Sequence, residues 1–132
     1  MNNNILVAIT KLLLGVWYFT ESESPFKASD WGKILPSELS QKIAVQYHAD
    51  PSHLKQINQA AFFDHLISKV DKSDALMVEN AGKIADLHNF LKQNLSHITV
   101  IRVEGASRIP VIIAGYLPDG TCIVIETFAI ET

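Results

Sequence analysis

The last third of the chain restricts the fold most strongly, because extended apolar segments alternate there with tight turns. Ile98–Val103 is rich in β-branched residues, Ile109–Leu117 is nearly all apolar, and Cys122–Ile130 is a third extended segment. β-Branched residues favour strands, and a short apolar run between turns is typical of a buried central strand. Pro118–Thr121 has the composition of a tight hairpin turn. The pattern therefore predicts three hairpin-linked strands in an antiparallel sheet.

The first two thirds of the chain show mainly helical spacing of apolar residues. Helices are predicted over residues 5–17, 36–47, 60–70 and from 73 or 74 to 94. Phe26–Trp31 is interpreted as extended. Residues 51–57 fit either a helix with Asp50 as its N-cap or a short strand before a later helix. Together with the C-terminal strands, this predicts a single α+β domain over residues 1–132.

Charge and composition argue against several classes of partner. The net charge is −3 and the eleven Lys and Arg residues are scattered, so no basic patch for nucleic acid is apparent. The single cysteine, Cys122, excludes a disulfide within the chain and a multi-cysteine zinc site. The apolar run Ile5–Phe19 is interrupted by Lys11 and is too short to span a bilayer. We therefore expect a cytoplasmic monomer that binds neither nucleic acid nor membranes.

The sequence gives little support for catalysis. No His-Glu-x-x-His metal motif, glycine-rich phosphate loop or Gly-x-Ser-x-Gly elbow is present. The five histidines are dispersed: His48, His53, His65, His88 and His97. We therefore expect a protein that is not an enzyme and needs no cofactor.

A short acidic segment, Thr20–Phe26, is the main candidate for a functional site. It places Glu21 and Glu23 two residues apart, between an aromatic run and a Pro-Phe pair. A protruding carboxylate can bind a hard cation or imitate a phosphate. Two simpler interpretations are a Thr-x-x-Glu capping box and a solvated acidic loop, although Pro25 argues against a continuing helix.

The end of the chain offers a second carboxylate. The third predicted strand stops at Ile130, so Glu131 and Thr132 lie just beyond the edge of the sheet. Chain termini usually fray and carry no function. A terminus that directly follows a strand is held in place more firmly, and this makes it a candidate site.

These features resemble the nuclease A inhibitor family. The run Tyr18–Phe26 matches its pattern of two aromatics, Ser or Thr, Glu-Ser-Glu, any residue and Pro-Phe. Ile101-Arg102, the turn Pro118–Gly120 and the ending Glu131-Thr132 are also similar, as is Phe62-Phe63 before a long helix. The resemblance implies a three-layer α/β/α sandwich with a mainly antiparallel sheet, related in shape to the PR-1-like proteins.

The resemblance also implies a function. The family inhibits a sugar-nonspecific, Mg²⁺-dependent DNA/RNA endonuclease of the ββα-metal type. Glu21 and the carboxylate of Thr132 match the groups expected to reach the nuclease's metal, and Thr20, Ser22 and Glu23 complete the expected partner-binding segment. Trp31 or other exposed aromatics are expected to supply part of the contact area. Two alternatives stay open: a general protein- or ligand-binding domain on the same fold, and a metal-dependent hydrolase that uses Glu21 with a histidine.

Overall fold

The computed structural model describes residues 3–131, and all the helices and strands named below belong to that part of the chain. The helices are α1 (Asn3–Leu12), α2 (Leu39–Gln46), α3 (Gln59–Ser68) and α4 (Ala75–Asn94). The strands are β1 (Trp17–Phe19), β2 (Glu23–Pro25), β3 (Lys27–Lys33), β4 (Leu54–Ile57), β5 (Ser96–Val103), β6 (Arg108–Tyr116) and β7 (Thr121–Ile130). They form a five-stranded sheet and a separate two-stranded hairpin.

The five-stranded sheet has the order β3-β7-β6-β5-β4, and every neighbouring pair is antiparallel. The predicted turn joins β6 to β7, and Gly120 adopts there a φ of 92°, which favours glycine. The Leu117 N–H donates to the Thr121 carbonyl at 2.9 Å, and the Thr121 N–H donates to the Asp119 carboxylate at 2.9 Å. The three strands predicted from the sequence are therefore confirmed, and they occupy the centre of the sheet.

The two faces of the sheet carry separate apolar clusters, because successive side chains of a strand point to opposite faces. In β6, Ile109, Val111 and Ile113 pack in the cluster that contains α1, α3 and α4. The alternate residues Ile112 and Ala114 pack in the cluster that contains α2. The molecule is therefore the predicted three-layer α/β/α sandwich, whereas its relation in shape to the PR-1-like proteins stays a prediction.

The first predicted helix is shorter than the sequence pattern suggested. α1 ends at Leu12 rather than at residue 17, and Gly15 adopts a φ of 73° that turns the chain away from the helix. Trp17 then begins β1, so the apolar run predicted to be one helix is a helix followed by a strand. No helix within residues 3–131 combines the length and apolar character needed to cross a membrane.

The ambiguous segment at residues 51–57 contains parts of both interpretations. The Asp50 side chain accepts a hydrogen bond from the Ser52 N–H at 2.9 Å and caps a single 3-10 turn, Pro51–His53. The chain then continues as β4, and α3 begins only after Asn58. The predicted cap is therefore confirmed, but the helix that it was expected to start is only one turn long.

Candidate functional site

The acidic loop, which we define as Thr20–Glu23, consists of the turn between the two strands of a small hairpin and the first residue of β2. β1 and β2 pair antiparallel, with Phe19 opposite Glu23 at the end nearest the loop. The Thr20 N–H donates to the Ser22 carbonyl at 2.8 Å and closes the turn. Glu21 therefore lies at the tip of a hairpin, where its side chain is exposed. The capping-box interpretation is wrong, because the segment leads into a strand and not into a helix.

Both strands of this hairpin are attached to the body of the protein. Tyr18 is buried, and its ring centroid lies 5.9 Å from those of both Phe26 and Phe62. The Thr127 hydroxyl donates to the Pro25 carbonyl at 3.0 Å. These contacts fix the base of the hairpin, so the acidic loop projects from a firm support.

A side chain of α4 adds a third attachment. The Asn80 side chain accepts a hydrogen bond from the Trp17 N–H at 2.8 Å and donates one to the Trp17 carbonyl at 2.9 Å. A side-chain amide that pairs with both backbone groups of one residue acts like a neighbouring strand. Asn80 therefore extends the support of β1 on the side away from β2.

The acidic loop is also held by the end of β7. The Ile130 N–H donates to the Thr20 hydroxyl oxygen at 3.0 Å, and the Glu21 N–H approaches the Ile130 carbonyl at 3.4 Å. The structure thus brings the loop next to the last strand, 110 residues further along the chain. Ser22 and Glu23 are exposed in the same loop, while Thr132 lies outside the described residues.

The residue that follows β7 is fixed by two groups. The Glu131 N–H donates to the Ser107 carbonyl at 2.9 Å, and its carboxylate accepts from Arg102 Nη2 at 2.7 Å. Arg102 Nε donates to the Glu104 carboxylate at 2.8 Å, so one guanidinium joins two acids. Burial lowers the pKa of Arg102, but the bonds to Glu104 and Glu131 outweigh it and raise the pKa overall.

A cavity of about 420 Å³ opens beside the acidic loop. It lies between the hairpin and α3, and its lining includes Phe19, Thr20, Phe62, Arg102 and Glu131. A volume of this size, with an apolar wall and a few polar groups, is within the range of small-molecule pockets. The candidate site therefore combines a protruding acidic loop with an adjacent depression.

The aromatic side chain that is exposed near this site is Trp17 and not Trp31. Trp31 is half-buried and packs in the apolar cluster of the α2 layer. Trp17 keeps 41% of its surface exposed and lies in the same hairpin as the acidic loop. Sequence reasoning missed it because Trp17 was assigned to the first helix, although Gly15 was a signal that the helix ends earlier.

The histidines do not form a common site. Within residues 3–131, no group of three His, Cys, Asp or Glu side chains is placed to hold a metal ion. His88 stacks on Phe63 at 4.1 Å between ring centroids and hydrogen-bonds Gln59, and burial followed by the charge of Lys92 lowers its pKa. That histidine is therefore a packing residue. His65 lines the cavity beside the acidic loop, and a hydrolase that pairs Glu21 with a histidine stays a prediction.

Comparison with known proteins adds a family. The model of the family described as nuclease A inhibitor-like protein (NuiA) matches residues 3–132. No curated protein is significantly similar to the chain. The family match extends over every helix and strand of the described structure, including the hairpin with the acidic loop and the end of β7.

Proposed function

Because this chain belongs to the nuclease A inhibitor-like family, we propose that it inhibits a sugar-nonspecific, Mg²⁺-dependent endonuclease by blocking the catalytic metal with a carboxylate. The observation that carries the proposal is the position of Glu21. It stands at the tip of a hairpin whose base is packed in the core and whose loop is bonded to β7. The inhibitor itself needs no cofactor, since the metal belongs to the nuclease.

The proposed mechanism follows from the preferences of Mg²⁺. This ion binds oxygen ligands, keeps several waters and normally meets phosphate oxygens of the substrate in nucleases. The Glu21 carboxylate takes the place of a phosphate oxygen but offers no P–O bond to cleave, so turnover stops. The carboxylate of Thr132 is the second proposed contact with the metal site, and Thr20, Ser22 and Glu23 form the surface around Glu21.

The contacts that hold the acidic loop in place favour tight binding to a nuclease. Ordering a flexible side chain or loop on association costs about 0.5–1.5 kcal/mol for each immobilised side chain. A loop that is already held by Thr20 and Ile130 has less freedom to lose. The geometry therefore favours an inhibitor whose acidic loop is in its binding position before the nuclease arrives.

The wider surface is suited to a basic partner. A nuclease groove that binds nucleic acid is positively charged, and a chain of net charge −3 is attracted to it. A stable complex buries about 1,600 Å² in total, of which the loop supplies only a part. Trp17 is the exposed aromatic of the same hairpin and is the proposed apolar contact beside the acids.

A second candidate function is a ligand-binding domain on the same fold without a nuclease target. The cavity of about 420 Å³ next to Phe62 and Arg102 favours it, because its size suits a small ligand. Under this alternative, filling the cavity would abolish ligand binding and Glu21 would have no special role.

The test is a titration of the purified protein into a Mg²⁺-dependent nonspecific nuclease, with DNA cleavage as the readout. Glu21→Gln keeps the size of the side chain and removes its charge; Glu79→Gln, at an exposed position of α4, is the matched control. Removing one partner of a buried charge contact costs about 2–5 kcal/mol, so we expect inhibition by Glu21→Gln to be at least about 30-fold weaker.

The control variant and an extended chain complete the design. Glu79→Gln should inhibit like the wild type, whereas residues appended after Thr132 should weaken inhibition by displacing its carboxylate. Equal inhibition by the wild type and Glu21→Gln would keep the inhibitory function but reject the proposed role of Glu21. A lack of inhibition by the wild type would favour the ligand-binding domain.

A further inference from the structure

We propose that Arg102 is a positioning residue for the acidic loop, acting through Glu131 and the end of β7. This inference rests on the proposed inhibitory function. We name the group formed by Arg102, Glu104 and Glu131 the arginine bridge. Arg102 holds Glu131, and the preceding residue, Ile130, holds the acidic loop through its bond with Thr20.

The fixed end of the arginine bridge is the sheet. Arg102 belongs to β5, where it pairs with Lys55 of β4 on one side and Val111 of β6 on the other. Its side chain is only 20% exposed, and Glu104 holds its Nε at 2.8 Å. A guanidinium with a planar, pre-organised set of donors loses little freedom in such a pair. Arg102 is therefore a rigid point from which the terminal segment can be held.

At its other end, the arginine bridge holds residues 130 and 131, the segment that supports the acidic loop. Arg102 Nη2 bonds Glu131 at 2.7 Å, and the next residue back, Ile130, bonds both Thr20 and the backbone of Glu21. Without the arginine bridge, Glu131 keeps the hydrogen bond from its N–H to the Ser107 carbonyl but loses the hold on its side chain. Ile130 still pairs with Arg108 of β6, but the residue after it has lost one of its two holds, so the support that Ile130 gives to the loop weakens.

The burial of Tyr18 links the same charges to the base of the hairpin. Burial raises the pKa of Tyr18, the charge of Arg102 lowers it, and the charge of Glu131 raises it. All three groups line the cavity beside the loop. Arg102 and Glu131 therefore share the cavity with Tyr18 at the base of the hairpin, where a change in the position of residue 131 alters the support of the loop.

A matched pair of substitutions separates positioning from general stability. Glu131→Ala removes the carboxylate that holds the terminal segment, and Glu79→Ala removes an exposed carboxylate of α4 that does not belong to the arginine bridge. Both lower the net negative charge by one, so they alter attraction to a basic nuclease equally. Ion pairs that are partly exposed contribute little to global stability, so both variants should unfold near the wild-type temperature.

The first readout is backbone amide hydrogen exchange in the free protein. In Glu131→Ala the amides of Ile130, Glu131 and Glu21 should exchange several times faster than in the wild type. In Glu79→Ala they should exchange at the wild-type rate. This measurement requires no nuclease, so it tests the positioning even if the wild type inhibits no nuclease and the proposed function fails. Unchanged exchange in Glu131→Ala would overturn the inference.

The second readout is the inhibition constant against the nuclease. We expect Glu131→Ala to raise it about fivefold, as for an ion pair of roughly 1 kcal/mol, and Glu79→Ala to raise it less than about twofold. Arg102→Gln keeps the Glu131 carboxylate but removes its partner, so it should match Glu131→Ala in hydrogen exchange. It should also match it in inhibition at a salt concentration that screens the difference in net charge. The double variant should be no weaker than either single variant, because both remove the same interaction. Wild-type inhibition by Arg102→Gln would show that Glu131 contacts the nuclease directly and would overturn the inference.

Discussion

Replacing Gly115 by alanine should destabilise the protein, whereas the same change at Gly82 should stabilise it. Gly115 is buried in β6, and a methyl group there would lie 2.9 Å from both Cβ and Cδ1 of Leu95. Carbon atoms in folded proteins do not approach so closely, so the end of α4 must shift away from the sheet. Gly82 is exposed on α4, and a methyl group there would meet nothing within 4 Å.

The expected magnitudes follow from these contacts. Adding a methyl group to a well-packed core costs about 1–3 kcal/mol. Reduced freedom of the unfolded chain offsets about 0.4–1 kcal/mol of this, which leaves a net loss of roughly 1–2 kcal/mol for Gly115→Ala. For Gly82→Ala the helix propensity of alanine should increase the free energy of unfolding by about 0.5–1 kcal/mol.

The assay is equilibrium unfolding in urea, followed by circular dichroism and tryptophan fluorescence. Leu95→Ala alone should cost about 2–5 kcal/mol, because it empties a buried site. The double variant keeps the close contact with Cβ of residue 95 but loses the one with Cδ1, so the measured loss should be smaller than the sum of the two single losses. Strict additivity, or a Gly115→Ala variant as stable as the wild type, would refute this reasoning.

Two further predictions concern ionisable groups in the core. The pKa values of Tyr18, Tyr47, Tyr116 and Cys122 are all raised chiefly by burial, to about 12 for Tyr116 and about 11 for Cys122. The folded state therefore keeps more protons than the unfolded state at high pH, so the free energy of unfolding should fall as the pH rises from about 9 towards 12. A pH series of urea unfolding measures this, and a flat profile up to pH 12 would contradict it. The Cys122 thiol should also resist a thiol-specific reagent at pH 8 in the native protein and react in urea, whereas rapid native labelling would contradict its burial.

Much of the fold could be predicted because local sequence and tertiary packing agree. The turn at Pro118–Thr121 has residues that its geometry requires, and the strands on either side are buried on both faces, as apolar runs predict. The long helix α4 begins where Asp74 accepts hydrogen bonds from Leu76 and Met77, at 3.1 and 3.2 Å. Such caps are local and can be read from sequence.

The hairpin of β1 and β2 could not be predicted, because its stability comes from distant parts of the chain. An isolated hairpin of this size is not stable in water. Asn80 lies 63 positions from Trp17, which it holds, and Thr127 lies 102 positions from Pro25. Neither residue has a sequence signal that points to the hairpin.

In the candidate site, too, the local features could be predicted from the sequence and the contacts between distant residues could not. The acidic loop and the end of the chain were identified as separate candidates, since each has a pattern of its own. The bonds from Ile130 to Thr20 and from Arg102 to Glu131 depend on the strand order β7-β6-β5, which the hairpin pattern only suggests. The proposed role of Arg102 therefore depends on contacts that the sequence does not indicate.

The bond between Thr20 and Ile130 has a consequence for the newly synthesised protein. The acidic loop is made early, but the strand that supports it follows 110 residues later, a delay of roughly 5–20 s at the usual rate of about 5–20 residues per second. During that interval the ribosome carries a loop with the right residues and no fixed position. The proposed inhibitor thus becomes competent only when β7 has joined the sheet, and a chain interrupted before that point has the acidic motif without the support that the proposed function requires.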